Sequence, residues 1–149
     1  MTFKQKTYHQ FQQGLADKIS ILYQQLDELK ESTANETKST AGDKYETARA
    51  MLQLEQDNIR KQLQEALQQQ SGFNSIDISV TSDKIIRGSL IKTNRGYFFI
   101  SIALGRISAD GIAVIALSPQ SPLGKKLMGL QVHDTADVNN LLYTIEEIS

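Results

Sequence analysis

The sequence lacks several residue types that particular functions need. Its 149 residues include no cysteine and no tryptophan, and only two prolines and two histidines. Without cysteine, the chain has no disulfide, no thiol nucleophile and no thiolate metal ligand. The two histidines, His9 and His133, lie in different halves of the chain and so have no second histidine at metal-site spacing, which argues against a histidine metal centre.

Charge and hydropathy exclude further classes of protein. The formal net charge is -1, so there is no excess of cations for non-specific nucleic-acid binding, and we expect DNA binding to be weak or absent. No apolar run approaches the roughly 18 residues of a membrane helix. The polar start of the chain lacks the apolar core of a signal peptide. These features predict a soluble, cytoplasmic protein with no membrane partner.

The first half of the chain, residues 1–72, has the apolar spacing of a coiled coil. Apolar residues recur in steps of four and three along two stretches, Leu15, Ile19, Leu22, Leu26 and Leu29, then Leu52, Ile59, Leu63 and Ala66. Glu55 and Gln56 interrupt the second stretch. The small, polar residues between the two stretches are typical of a turn. Because neither stripe can be buried alone, the pattern predicts an antiparallel helical hairpin with its tip near residues 32–46.

The second half, residues 73–149, alternates with the period of two that is typical of β-strands. The pattern predicts strands at 76–80, 85–91, 97–103, 112–117 and 141–148. A turn at 94–96 and a short helix that begins at Pro122 are also predicted. The short connections leave little room for crossover helices, so we expect an antiparallel sheet. The predicted fold class is α+β, with a coiled-coil hairpin followed by a β domain.

Two acidic residues, Asp43 and Glu46, open the second predicted helix and allow two interpretations. As a capping box, they would bond backbone N–H groups and complement the helix dipole. At the tip of a long hairpin, the same two carboxylates, about 5–6 Å apart, would offer oxygen ligands to Mg²⁺. Two carboxylates make no tight site alone. We therefore expect no metal to be held stably by the isolated protein, only a half-site that a partner macromolecule completes.

Four segments of the sequence resemble the Gre transcription elongation factors. Residues 41–48 (Ala-Gly-Asp-Lys-Tyr-Glu-Thr-Ala) are similar to the Gly-Asp-x-x-Glu-Asn-Ala tip of that family, with Thr47 in place of Asn. Residues 118–129 are similar to its Ser-x-x-Ser-Pro signature, and residues 87–90 and 143–145 resemble its Gly-Ser-x-Val and Tyr-x-Ile strands. The resemblance covers nearly the whole chain. It implies that the β domain is FKBP-like.

The resemblance also implies a partner and a role. Factors of this family insert their hairpin into the secondary channel of bacterial RNA polymerase, where the tip acids position a second Mg²⁺ and a water that cut backtracked RNA near its 3′ end. By the resemblance, Asp43 and Glu46 are these acids, and Gln120, Ser121 and Pro122 form a docking surface on the polymerase. Mg²⁺ would be shared with the polymerase, and contact with nascent RNA would be indirect. The protein would stimulate the polymerase's own cleavage activity rather than act as an independent enzyme, and we expect a monomer.

Three other functions stay open on the sequence. A non-cleaving regulator of the same channel or its rim would not need both tip acids. An FKBP-like domain leaves peptidyl-prolyl isomerase activity open, although fold alone does not license it and this half has few aromatic residues to line an isomerase pocket. A structural adaptor, whose hairpin pairs with another helix, is the last hypothesis.

Overall fold

The computed structural model describes residues 1–36 and 42–149, with side chains except in 35–45. Two long helices come first, α1 (Phe3–Glu36) and α2 (Gly42–Asn74). Six strands and a short helix follow: β1 (Leu90–Thr93), β2 (Gly96–Ile100), β3 (Gly105–Ala109), β4 (Ile112–Leu117), α3 (Pro122–Leu127), β5 (Thr135–Val138) and β6 (Leu141–Ile148). The chain divides into two compact units: residues 14–70, the hairpin unit, and residues 1–13 with 71–149, the sheet unit.

The hairpin unit is held together by the apolar stripes. Buried side chains from both helices form one cluster, which consists of Ile19, Leu22, Leu26, Leu63 and Ala66, with Ile59 packed against it. The helices are antiparallel, because Thr33 near the end of α1 bonds Gln56 in the middle of α2, whereas Gln12 near the start of α1 bonds Asn74 at the end of α2. The predicted helical hairpin is therefore confirmed. Of the residues that the structure describes, none lies in a helix with the length and apolar character to cross a bilayer.

The sheet unit contains a six-stranded sheet in the order β3-β4-β2-β1-β6-β5. Neighbouring strands are antiparallel except for β2 and β4, which are parallel. The β domain that the sequence predicted is confirmed, but the expectation of a purely antiparallel sheet was wrong in this pair. After β2 the chain forms edge strand β3 and returns as β4 between β3 and β2. Strand β3 thus supplies the crossover that a parallel pair needs, without a helix.

The strand predicted at 76–80 is not formed, and the one predicted at 85–91 begins only at Leu90, in β1; residues 76–89 are fully described and contain no strand. In the first segment the Asp77 carboxylate accepts hydrogen bonds from the N–H group of Ser79 (2.9 Å) and from its hydroxyl (2.5 Å). This local turn competes with strand pairing. In the second segment Gly88, with a φ of 96°, turns the chain. In the first segment Ile76 is buried, Ile78 is half-buried and Val80 is exposed, so the alternation there does not mark one buried face.

Strands β3 and β5 were missed by the sequence analysis. Each is joined to the following strand by two residues with positive φ, which are Asp110 (51°) and Gly111 (75°), then Asn139 (54°) and Asn140 (64°). Positive φ at both central positions is the mark of a type I′ hairpin turn, for which Asp-Gly is a preferred pair. The signal for the β3–β4 hairpin was therefore present in the sequence.

Aromatic packing ties the start of α1 to the sheet. The rings of Phe11, Phe73 and Phe99 lie with centroids 6.0–6.2 Å apart, and Phe11 is 2% exposed. A separate aliphatic cluster fills the rest of the sheet unit with Ile85, Ile91, Ile100, Leu127, Ala136 and Ile145. The aromatic contacts explain why residues 1–13 belong to the sheet unit, whereas the sequence analysis assigned residues 1–72 to the hairpin.

Candidate functional site

The Ser-Pro segment, residues 118–127, follows β4 and consists of a capped turn and helix α3. Ser121 is the N-cap of α3, and its Oγ accepts a hydrogen bond of 3.0 Å from the N–H group of Gly124. Pro122 is the first residue of the helix. An N–H group at that position has no partner within the helix, so proline, which lacks it, loses no hydrogen bond there. The prediction of a short helix that begins at Pro122 is confirmed.

A second set of hydrogen bonds fixes the residues ahead of the cap. The Ser121 hydroxyl donates to the carbonyl oxygen of Ser118 (2.7 Å). The Ser118 hydroxyl donates to Gln120 Oε1 (2.6 Å) and accepts from the N–H group of Gln120 (3.1 Å). Gln120 and Pro122 are exposed, whereas Ser121 is half-buried. The structure thus brings the three predicted docking residues together, with Ser121 shaping the turn and the other two on its surface.

A cleft of about 490 Å³ adjoins the Ser-Pro segment. Ser118, Pro119 and Gln120 form one wall, and the other wall includes Arg87. Arg87 is exposed, and its Nη2 donates a hydrogen bond of 3.0 Å to the carbonyl oxygen of Gly72. In the sequence, Arg87 stands out only as part of a family-like strand. Its place in the same cleft as Gln120 depends on the fold of the chain.

The two predicted tip acids lie in the first turns of α2. The helix begins at Gly42, so Asp43 is its second residue rather than the residue that precedes it. The side chain of Asp43, and with it the predicted capping box, lies outside the described residues. Glu46 is described, and its side chain is exposed. Their roles stay predictions.

The chemistry of the tip fits part of a magnesium site. Asp43 and Glu46 are three residues apart in α2, and positions at that spacing are neighbours on the surface of a helix. Carboxylate oxygens are the ligands that Mg²⁺ prefers, but the ion needs six oxygens in all. No group of three or more potential metal ligands occurs among residues 1–36 and 42–149. The two acids therefore suit Mg²⁺ only as a half-site completed by other ligands.

Comparison with known proteins gives structural neighbours only. No protein family matches the chain, and no curated protein matches it. The structure of the transcription factor Gfh1 is similar, with 15% identity, 93% of each chain covered and a TM-score of 0.40. The crystal structure of GreA factor homolog 1 of Thermus thermophilus has 16% identity and a TM-score of 0.35, and the match covers 88% of this chain and 94% of that chain. Both neighbours carry the name Gfh1, and the second is described as a GreA factor homolog.

Proposed function

We propose that this chain binds bacterial RNA polymerase as a Gre-type elongation factor and stimulates the polymerase to cleave backtracked RNA. The observation that carries the proposal is the placement of two family-like motifs on the observed fold. The Asp43-x-x-Glu46 motif occupies the start of the second helix of a hairpin, and the Ser-Pro signature forms a capped, exposed turn next to the sheet. Each motif alone is short, but their joint placement is specific.

The hairpin is long enough to carry the acids into a narrow channel. Residues 14–36 of α1 are helical, which corresponds to about 35 Å at 1.5 Å per residue. Asp43 and Glu46 would hold the Mg²⁺ ion together with ligands from the polymerase. When bound, the ion lowers the pKa of a coordinated water and so supplies a nucleophile for phosphodiester hydrolysis. The protein's own part is to present two oxygen ligands at a fixed spacing.

The Ser-Pro segment would dock the factor on the rim of the channel. Its exposed groups are the Gln120 side chain, which has free donor capacity in its amide, and the Pro122 ring. The hydrogen bonds of Ser118 and Ser121 hold both groups in one conformation, so little conformational entropy is lost when they bind. Arg87, which lines the same cleft as Gln120, offers a cation to an acidic partner surface.

The proposal is tested with backtracked polymerase complexes that carry 3′-end-labelled RNA in the presence of Mg²⁺. We expect the protein to release short 3′ fragments. The double variant Asp43→Asn, Glu46→Gln should bind the polymerase but release none, because amides are poor ligands for Mg²⁺. The matched control is Glu55→Gln, Glu65→Gln, which removes two exposed charges from the same helix and should cleave like the unmodified protein.

The same assay separates the alternatives. If neither the protein nor the double variant cleaves, but both displace a known channel factor, the protein is a non-cleaving regulator of the channel. Failure to cleave and failure to compete would refute polymerase binding altogether. Loss of binding in a Gln120→Ala, Pro122→Ala variant, with an unchanged circular dichroism spectrum, would locate the docking surface.

A further inference from the structure

A pocket of about 760 Å³ opens in the sheet unit and shares no residue with the cleft beside the Ser-Pro segment. Its volume lies within the range of roughly 300–1,000 Å³ that is usual for small-ligand sites. The first turn of α1, residues 2–5, forms one wall. Strand residues, among them Leu90, Tyr97 and Glu147, form another. The proposed polymerase-binding function uses none of these residues.

Lys4 lies in the wall of this pocket and is a buried lysine whose ammonium makes no hydrogen bond within the described part of the chain. The residue is 8% exposed, and its Nζ atom has no hydrogen-bond partner among the described residues. Burying an unpaired ammonium is costly, because its three N–H donors lose their water. Burial lowers the pKa of Lys4, and the nearby Asp77 carboxylate opposes this effect without reversing it. The charge of Lys4 is therefore only partly compensated by the protein.

Of the two acidic side chains in the pocket wall, one forms an ion pair and the other faces a lysine across a strand pair. Asp110 accepts a hydrogen bond of 2.9 Å from the Lys6 ammonium in an ion pair. Glu147 stands directly opposite Lys92 on the neighbouring strand, where opposite charges attract each other. Lys4 is therefore the charged side chain of the pocket wall that has neither an ion pair nor an oppositely charged cross-strand neighbour; the nearby Asp77 carboxylate is not part of the wall. The pocket therefore favours an anion.

The helix end in the pocket wall acts in the same direction. The N-terminus of a helix carries a partial positive charge, and α1 has no acidic residue in its first turn to complement it. Thr2 and Gln5 form a reciprocal capping box, with bonds of 2.9 and 3.1 Å. This capping satisfies two N–H groups with neutral oxygens, so the dipole still attracts negative charge at the pocket wall.

We propose that this pocket binds a small organic monocarboxylate whose carboxylate pairs with the buried Lys4 ammonium. One unpaired cation matches one negative charge. A phosphate group is commonly held by several converging donors, such as arginine side chains or a nest of backbone N–H groups, and the pocket wall contains no arginine. The proposal does not rest on polymerase binding.

The remaining walls indicate the body of the ligand. The Phe3 and Tyr97 rings meet edge to face with centroids 5.1 Å apart, and Ile78, Leu90 and Ile112 add aliphatic surface. Such walls suit an apolar group about the size of an aromatic ring or a short alkyl chain. Benzoate is therefore a suitable probe, because it joins one carboxylate to one ring.

The test measures binding of benzoate, of neutral benzamide and of inorganic phosphate to the full chain in chloride buffer at neutral pH. Calorimetry gives the affinities, and amide chemical shifts locate the site. We expect saturable binding of benzoate, with shifts at residues 2–5 and at Tyr97. Benzamide should bind at least about tenfold more weakly, since it cannot form the charge-assisted hydrogen bond.

Two variants decide whether Lys4 is responsible. Lys4→Met keeps an unbranched chain of similar length and should lose the preference for benzoate over benzamide. Lys84→Met makes the same change at an exposed lysine of the sheet unit and should keep the preference. Equal binding of benzoate and benzamide to the unmodified protein, or an unchanged preference in Lys4→Met, would overturn the proposal. So would tighter binding of phosphate, or of a short acidic peptide, than of benzoate.

Discussion

The amide nitrogen of Gln56 donates a hydrogen bond of 2.7 Å to the hydroxyl of Thr33 across the two helices of the hairpin unit. Gln56 is 5% exposed, although it occupies the place where the apolar stripe of α2 is interrupted. The Thr33 hydroxyl donates in turn to the carbonyl oxygen of Leu29 (2.9 Å), and Arg60 donates to Gln56 Oε1 (3.3 Å). The polar residue that interrupts the apolar stripe of α2, Gln56, is thus buried and belongs to a hydrogen-bonded network.

Loss of this network should destabilise the hairpin unit. We expect Gln56→Ala to lower the free energy of unfolding by about 1–3 kcal/mol, because the variant loses buried contacts and leaves the Thr33 hydroxyl without its donor. Thermal or urea denaturation followed by circular dichroism measures the change. Gln64→Ala, at an exposed position of the same helix, should change stability by no more than about 0.5 kcal/mol. Equal effects of the two variants would contradict the buried network.

The network should also specify how the two helices align. The double variant Thr33→Val, Gln56→Leu replaces both polar partners by apolar groups, and such replacements are often neutral or stabilising. We expect its stability to recover to within about 1 kcal/mol of the unmodified protein. A single polar residue in an apolar seam commonly fixes register, so the double variant should show extra amide resonances from alternative alignments. A single set of resonances would show that the apolar stripes alone fix the register.

Gly124 is required for the shape of the Ser-Pro segment. A Cβ atom on Gly124 would stand 2.0 Å from the carbonyl oxygen of Ser118 and 2.8 Å from Ser121 Oγ. We expect Gly124→Ala to lower the free energy of unfolding by about 1–3 kcal/mol, because the capped turn must open. Gly14→Ala is the control, since nothing lies within 4 Å of a Cβ there. In helix α1 it should stabilise by about 0.5–1 kcal/mol. If Gly124→Ala and Gly14→Ala moved the denaturation midpoint in the same direction, the predicted steric clash at Gly124 would be contradicted.

The sequence predicted the elements whose pattern is local and missed those that depend on turn chemistry. The stripes of the hairpin were readable because a coiled coil repeats over many residues, and the α3 helix was readable from Pro122. The strand at 76–80 was wrongly predicted because alternation of apolar and polar residues also occurs in a loop, where Asp77 bonds Ser79. The parallel pairing of β2 with β4 depends on the path of the whole chain, which no window of sequence contains.

The candidate sites also differ in how far the sequence alone predicted them. Gln120, Ser121 and Pro122 are consecutive, so their proximity was certain from the sequence, and the structure added their hydrogen bonds and exposure. The pocket at Lys4 could not have been predicted, because its walls come from positions far apart in the chain. Lys4 itself looks like an ordinary lysine near a helix start until burial removes its water.

The charge of Lys4 should make stability depend on pH. In chloride buffer at neutral pH, we expect Lys4→Met to raise the free energy of unfolding by about 1 kcal/mol, or the melting temperature by roughly 2–4 °C, because it removes a buried, unpaired ammonium. Burial lowers the pKa of Lys4 in the folded state below its ordinary value of 10.5. At a pH between the lowered pKa of Lys4 in the folded protein and its ordinary pKa in the unfolded chain, the unfolded chain binds more protons than the folded protein. The stability that the buried Lys4 charge costs at neutral pH is therefore regained as the pH rises.

The measurement is the difference in unfolding free energy between Lys4→Met and the unmodified protein from neutral pH to pH about 10.5. This difference should be constant below the lowered pKa of Lys4 and should shrink as the pH rises above it. Burial raises the pKa of Tyr8, which destabilises the folded state at alkaline pH, but Tyr8 is present in both proteins and cancels in the difference. A difference that does not change with pH would mean that the Lys4 ammonium is as well solvated in the folded protein as in the unfolded chain.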